Sequence, residues 1–219
     1  MKKLLGIVSI INAAALAVVI ALTEADIVPI HFNASGQADS WASKWTYLIL
    51  AAIPVFLSWG YNSYRRWAHG REETEKNAQI EDRTIPAITV LFIALGWIFT
   101  LVMYSGATQL DLNVVCMILI AGGALMMYIG NTLPKLEPNH TYGIRIPWTL
   151  RDETVWRRTH RFGAYTSVAG GLCMLAGGVG GILSSNALPG TIAGMAVGIS
   201  LVALAPIIYA GVIYKRIHK

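Results

Sequence analysis

The sequence predicts an all-α integral membrane protein, a bundle of six transmembrane helices with both termini cytoplasmic. Three observations predict it. First, 55% of the 219 residues are hydrophobic and only 13% are charged, about half the charge of a typical soluble domain, and the mean hydropathy is +0.54. So little charge cannot easily clothe a single-core globule, and a disordered chain needs the opposite balance. Second, the apolar residues gather into runs near the ~20 residues that cross a bilayer core. Third, all of the acids and bases lie between those runs, where a charge avoids the cost of at least ~2.5 kcal/mol at a helix centre.

The runs are Leu4–Leu22, Trp45–Tyr61, Ile85–Met103, Leu112–Ile129, Ala164–Leu183 and Pro189–Tyr214. The first follows Lys2 and Lys3 as a signal peptide would. Thr23-Glu24-Ala25 is a poor cleavage site and the run is long for a signal core, so it reads as an uncleaved span. The second is short and holds Pro54. With the N-terminus inside, sixteen of the 17 bases fall on the cytoplasmic side and only Lys44 falls outside, as the positive-inside rule requires. The acids leave the faces at +8 and −3, so the net charge of +5 reports orientation and nucleic acid is not expected as a partner. The chain divides as 1–61 with an external loop at 23–44, a charged connector at 62–84, spans three and four at 85–129, a cytoplasmic loop at 130–163, and glycine-rich spans five and six at 164–219.

Within the spans, Gly177 and Gly181 face Gly190, Gly194 and Gly198 at four-residue spacing. Such small-residue stripes let backbones approach closely, and the short loop Ser184–Leu188 makes an antiparallel hairpin of the last two spans the expectation, with a homodimer seam as the alternative. Asn12 is expected to bond to a neighbouring helix. Cys116 and Cys173 lie inside spans and read as packing residues; no metal site or cofactor is expected. No ionisable residue sits within a span, which disfavours an ion-coupled carrier, and hydrolase, metalloprotease and phosphate-loop motifs are missing.

Two loops carry the information. The external loop, TEADIVPIHFNASGQADSWASK, brings together Pro29, His31, Phe32, Asn33, Gly36, Asp39, Trp41 and Lys44. Asn33 to Gly36 is a turn cluster with Gly36 free to take positive φ. Trp41 and Trp45 flank Lys44 like an interfacial anchor. A folded cap explains the tryptophans; it explains less well why Pro29, His31, Asn33 and Gly36 fall together. The cytoplasmic loop at 130–163 is irregular through Pro134, Pro138, Gly143 and Pro147. Thr149 to Asp152 then fits a capping box and starts a helix. Asp152, Val155, Trp156, Thr159 and Gly163 share one face of it, and the arginines lie mostly elsewhere, as on an interfacial helix. Acid, base and cation for proton transfer exist there in Asp152, Glu153, His140, His160 and Arg145, without a spaced nucleophile. The connector at 62–84, with five acids and five bases, reads as a solvated helical link without chemistry.

The cytoplasmic residues Gly130, Asn131 and Asn139, then Gly143-Ile144-Arg145-Ile146-Pro147-Trp148-Thr149-Leu150, then Val155-Trp156-Arg157-Arg158-Thr159-His160-Arg161 and Gly163, resemble the signature of the SdpI family of bacterial immunity proteins. Ile146 and Arg158 are mild departures from its usual Thr and Lys. The external loop is similar to a domain often found at the N-terminus of those proteins. The resemblance implies a six-span protein of the bacterial cytoplasmic membrane that protects the producing cell from a secreted peptide toxin. It also implies a receptor that, with toxin bound, holds a cytoplasmic transcriptional repressor at the membrane. The external loop would meet the toxin and the cytoplasmic signature the repressor. A membrane enzyme using the loop at 139–163, with His160, Asp152 and Arg145, is the alternative; a channel or carrier is a weaker one. Arg145, Trp148 and Thr149 have two readings, ligand contact or knitting the loop to the bundle.

Overall fold

A computed structural model describes residues 2–33, 35–68, 75–139, 141–184 and 188–218. The helices are α1 (Lys2–Leu22), α2 (Leu48–Ala68), α3 (Glu75–Tyr104), α4 (Leu112–Thr132), α5 (Pro147–Arg151), α6 (Glu153–Leu183), α7 (Leu188–Ile199) and α8 (Ala205–Ile217), with two strands, β1 (Ile27–Phe32) and β2 (Ala38–Ser43), between α1 and α2. Among the described residues, five stretches are long and apolar enough to cross a membrane: α1, α3, α4 with the turn after it, α6, and the continuous helix Leu188–Ile217. The chain is therefore a multi-pass membrane protein. The expected second span is observed as α2, helical through Pro54, but its last turns carry Asn62, Ser63, Arg65 and Arg66 and it is not among those five.

The chain forms two compact units, residues 1–69 with 85–115, and 70–84 with 116–219. In the first, Ile20, Val28, Tyr47 and Met103 form a buried cluster under the hairpin, with Leu50 and Phe99 against it. Asn12 accepts a 2.8 Å bond from the Trp97 indole, the interhelical bond expected of a carboxamide within a span. The external loop, expected as a folded cap, is built as this β-hairpin. β1 and β2 are antiparallel, with Pro29 opposite Trp41 and a register shift at His31. The proline lacks an N–H to give a ladder, and a two-stranded edge tolerates that.

In the second unit, α6 and α7 pack backbone to backbone. A Cβ on Gly177 would lie 2.9 Å from the Gly194 Cα, and one on Gly198 would lie 2.8 Å from the Gly170 carbonyl oxygen. Gly190, the third residue of the expected stripe, faces open space instead. Residues 185–187 of the connecting loop lie outside the described residues. Gly123 of α4 meets α6 in the same way, 2.6 Å from the Gly171 oxygen. Cys116 and Cys173 are free thiols, and Cys116 lies 3.6 Å from the Thr191 hydroxyl. The last span is interrupted by a π-helical turn at Ser200–Leu204, directly before Pro206 near the start of α8. Proline gives no N–H and crowds the carbonyl four residues back, and a π-bulge absorbs both.

Candidate functional site

The external-loop motif builds the hairpin. Asn33 Oδ1 accepts from the Ser35 and Gln37 amides at 2.9 and 3.1 Å and from the Ser35 hydroxyl at 3.0 Å, an Asx turn that closes the tip. Gly36 has φ +79° and presses on the Leu110 carbonyl, and its own carbonyl accepts from the Leu110 amide at 2.7 Å. Only glycine fits both demands. His31 Nδ1 meets Asp39 Oδ1 at 2.5 Å across the strands, with both side chains largely solvated. Pro29 contributes its carbonyl, which accepts from the Tyr47 hydroxyl at 2.7 Å. Burial pushes the Tyr47 phenol above its ordinary pKa, so it stays a donor. Phe32 pairs with Ala38. Lys44 is buried beside Trp45, its ammonium 5.8 Å from that ring's centroid, donating to the Thr23 carbonyl at 2.7 Å and lying 3.4 Å from Asp26. Trp41 and Trp45 are half exposed. The outward surface of this motif mixes the His31–Asp39 pair with exposed apolar side chains, Trp41, Trp45, Ile27 and Ile30.

The signature loop is built around Trp156. This side chain is fully buried, its indole N–H donates to the Leu136 carbonyl at 3.1 Å, and its ring stacks on His160 at 4.0 Å. His160 Nδ1 donates to the Trp156 carbonyl at 2.9 Å, and Nε2 accepts from the Ile144 amide at 2.9 Å. Both ring nitrogens are engaged, which fixes the neutral tautomer. The loop reaches the ring because Gly143 adopts φ +117° with its Cα against His160 Nε2, where a Cβ would collide. Asn139 turns the chain just before, accepting from the Thr141 and Tyr142 amides at 2.8 and 2.7 Å. Gly130 brings α4 against α6 beside Ser167 and Ala164. Thr149 is buried and donates to the Ile144 and Ile146 carbonyls at 2.7 and 3.0 Å. Trp148 lies over Gly211 of α8. Of the two readings left open for Trp148 and Thr149, these contacts favour knitting the loop to the bundle.

The capping box falls elsewhere than expected. Pro147 opens α5, as its fixed φ favours at a first helical position, so the helix starts before Thr149. The chain then breaks at Asp152, which is extended and caps α6 by accepting from the Val155 amide at 2.9 Å. Its other oxygen lies 3.5 Å from His218 Nε2. Asp152 and His160, the candidate acid and base, are therefore both engaged in holding the loop. His140 lies outside the described residues. Among the described residues no three His, Cys, Asp or Glu side chains could hold a metal together.

The buried face at the start of α6 is Val155, Trp156, Thr159, His160 and Gly163, the predicted face with His160 added and without Asp152, which caps the helix half-buried. Opposite it, Arg157, Arg158 and Arg161 are exposed, as are Asn131, Arg145, Pro147 and Arg151. Arg157 holds Glu153 at 2.6 Å.

The connector at 62–84 also departs from expectation. Its residues 69–74 lie outside the described residues, but Asn77, Ala78, Glu81 and Thr84 are buried rather than solvated. Asn77 brackets the backbone of Glu137, donating to its carbonyl at 3.0 Å and accepting from its amide at 2.9 Å. Ile80 joins the cluster of Leu133, Leu136, Trp156 and Ala164. Thr84 and Thr132 hydrogen-bond the Tyr142 phenol, which lies in the field of Glu81. The 77, 80, 81, 84 spacing is one helix face and could have signalled this; the charged neighbours masked it.

Residues 135–210 match the SdpI/YfhL protein family, and residues 9–55 match a domain of unknown function, DUF1648. Immunity protein SdpI of Bacillus subtilis (strain 168) is 32% identical over 84 residues, 38% of this chain and 34% of that protein. The matched segment thus spans about a third of the curated relative. No solved structure matches. The match over 135–210 covers most of the signature loop with α6 and α7, the segment whose buried framework was just described, and over that segment the chain is similar to the SdpI/YfhL protein family.

Proposed function

We propose that this protein is a membrane immunity protein conferring resistance to a secreted peptide toxin. The observation that carries the reading is the family match over the signature segment, together with the likeness to an immunity protein across it. In this reading the hairpin is the toxin-facing element. Ile27, Ile30, Trp41 and Trp45 stand outward beside the exposed His31–Asp39 pair, a mixed surface suited to an amphipathic peptide. The signature loop is the cytoplasmic element, and both termini share its side.

The finer reading is a receptor. A cytoplasmic repressor would dock on Arg145, Arg158 and Arg161, which calls for acidic residues on the repressor. Toxin binding would have to favour one arrangement of the bundle over another.

The test is expression in cells sensitive to the peptide toxin that family members neutralise. Survival should rise with the amount of protein in the membrane. Unchanged killing at normal membrane levels would contradict immunity to that toxin.

A further inference from the structure

The start of α3 and the end of α4 carry matching polar stripes. Lys76, Gln79 and Arg83 stand at i, i+3 and i+7 on α3. Tyr128, Asn131 and Lys135 stand at the same spacing at the end of α4 and in the turn after it, so each set shares one helix face. The two faces line a cleft of about 350 Å³, and all of its lining residues belong to the second compact unit. The lining brings together three cations, Lys76, Arg83 and Lys135, and holds no acid. Lys76 lies 3.6 Å from Glu137, so one carboxylate stands beside the three. Arg83 and Lys135 make no ion pair with any of the described residues. Asn131 belongs to the signature but stands exposed, outside its buried framework. The cleft lies at the edge of the apolar runs, which begin at Ile85 on α3 and end at Ile129 on α4.

A divalent cation would find no carboxylate in this lining. A carboxylate ligand would bring one charge and two oxygens to three cations. Counting Glu137 against those cations leaves a net of two positive charges. A phosphate monoester carries about −1.5 to −2 at pH 7 and offers three acceptor oxygens, which matches both the charge and the donors. We propose that this cleft binds a phosphate monoester. Its oxygens accept from the planar fork of Arg83 and from the ammoniums of Lys76 and Lys135, and the amides of Gln79 and Asn131 add neutral donors. At the edge of the apolar runs the ester has two sources. It arrives on a lipid, as in phosphatidic acid, or on a soluble ester such as glycerol phosphate. Basic pockets between apolar helices recognise anionic headgroups in the first case.

The experiment uses the full chain in two arms. In one, the protein is released into detergent for native mass spectrometry from nanodiscs of phosphatidylcholine with equal small shares of phosphatidic acid and phosphatidylglycerol. In the other, glycerol phosphate is titrated calorimetrically into the protein in detergent. The wild type should retain phosphatidic acid about fivefold over phosphatidylglycerol, from the extra charge, or bind glycerol phosphate; either result supports the site and names the source. In the arm that binds, Arg83→Gln with Lys135→Gln should weaken binding on the order of thirtyfold. Lys215→Gln with Arg216→Gln, which removes equal charge elsewhere, should leave it unchanged. Glu137→Gln frees Lys76 and should tighten binding about fivefold, a gain that a structural role for these residues would not produce. If the double glutamine variant does not accumulate, Arg83→Gln and Lys135→Gln are read singly, each with about a fivefold loss. Binding of neither ester would overturn the proposal. So would equal retention of the two anionic lipids without glycerol phosphate binding, or binding that the glutamine variants leave unchanged.

Discussion

At the hairpin tip, polar side chains satisfy partners close by, whereas at its base Lys44 and Tyr47 reach buried carbonyls 21 and 18 residues away. Asn33 closes a turn two to four residues long, and His31 reaches Asp39 across one strand pair. In the signature loop the bonds reach far along the chain: 60 residues from Asn77 to Glu137, 20 from Trp156 to Leu136, and 16 from His160 to Ile144. The tip bonds are exposed, so water can replace a lost partner. The signature bonds lie around a fully buried tryptophan, where a lost partner leaves an orphan. Local polar chemistry shapes the hairpin tip; a buried polar framework shapes the signature loop, and it leaves the arginines as an outward face.

The largest effect should come from Trp156→Ala, which removes the ring that Leu136 and His160 rest on. A loss of about 3–5 kcal/mol is expected, read as the midpoint of denaturant unfolding in detergent. Gly143→Ala comes next, because an alanine there must take an unfavourable φ and meets His160; backbone strain alone costs about 1–3 kcal/mol. Asn77→Ala should cost about 1–3 kcal/mol by orphaning both backbone groups of Glu137. In the hairpin, Tyr47→Phe should cost about 1 kcal/mol, and a loss as large as that of Trp156→Ala would erase the contrast. Arg157→Ala, which breaks an exposed pair with Glu153, should change stability by no more than about 0.5 kcal/mol.

Much of this was legible in the sequence. Glycine spacing on α6 and α7 foretold the close packing, although Gly190 faces open space, and Asn12 did find a helix partner. Asn33 and Gly36 announced a turn, because turn chemistry is local. The strands around it were not legible, since Pro29 and the register shift at His31 break the alternation that marks a strand. The tryptophans flanking Lys44 were legible, but nothing in the sequence shows that Thr23 and Asp26 fold over its ammonium. Asn77 was hidden for the same reason: its partner Glu137 lies 60 residues along the chain, and a charged segment reads as solvated. The aromatic and histidine residues of the signature could be picked out, but the division between those that build the loop and those that face outward needed the structure.

The central claim is that division. Its most direct test is a triple variant, Arg145, Arg158 and Arg161 each to Gln, scored at once for membrane level and for protection against the toxin. The account predicts a normal level, because none of the three belongs to the buried framework, with protection or repressor capture reduced at least tenfold. Full protection and unchanged repressor capture at a normal level would contradict it, as would a variant that fails to accumulate.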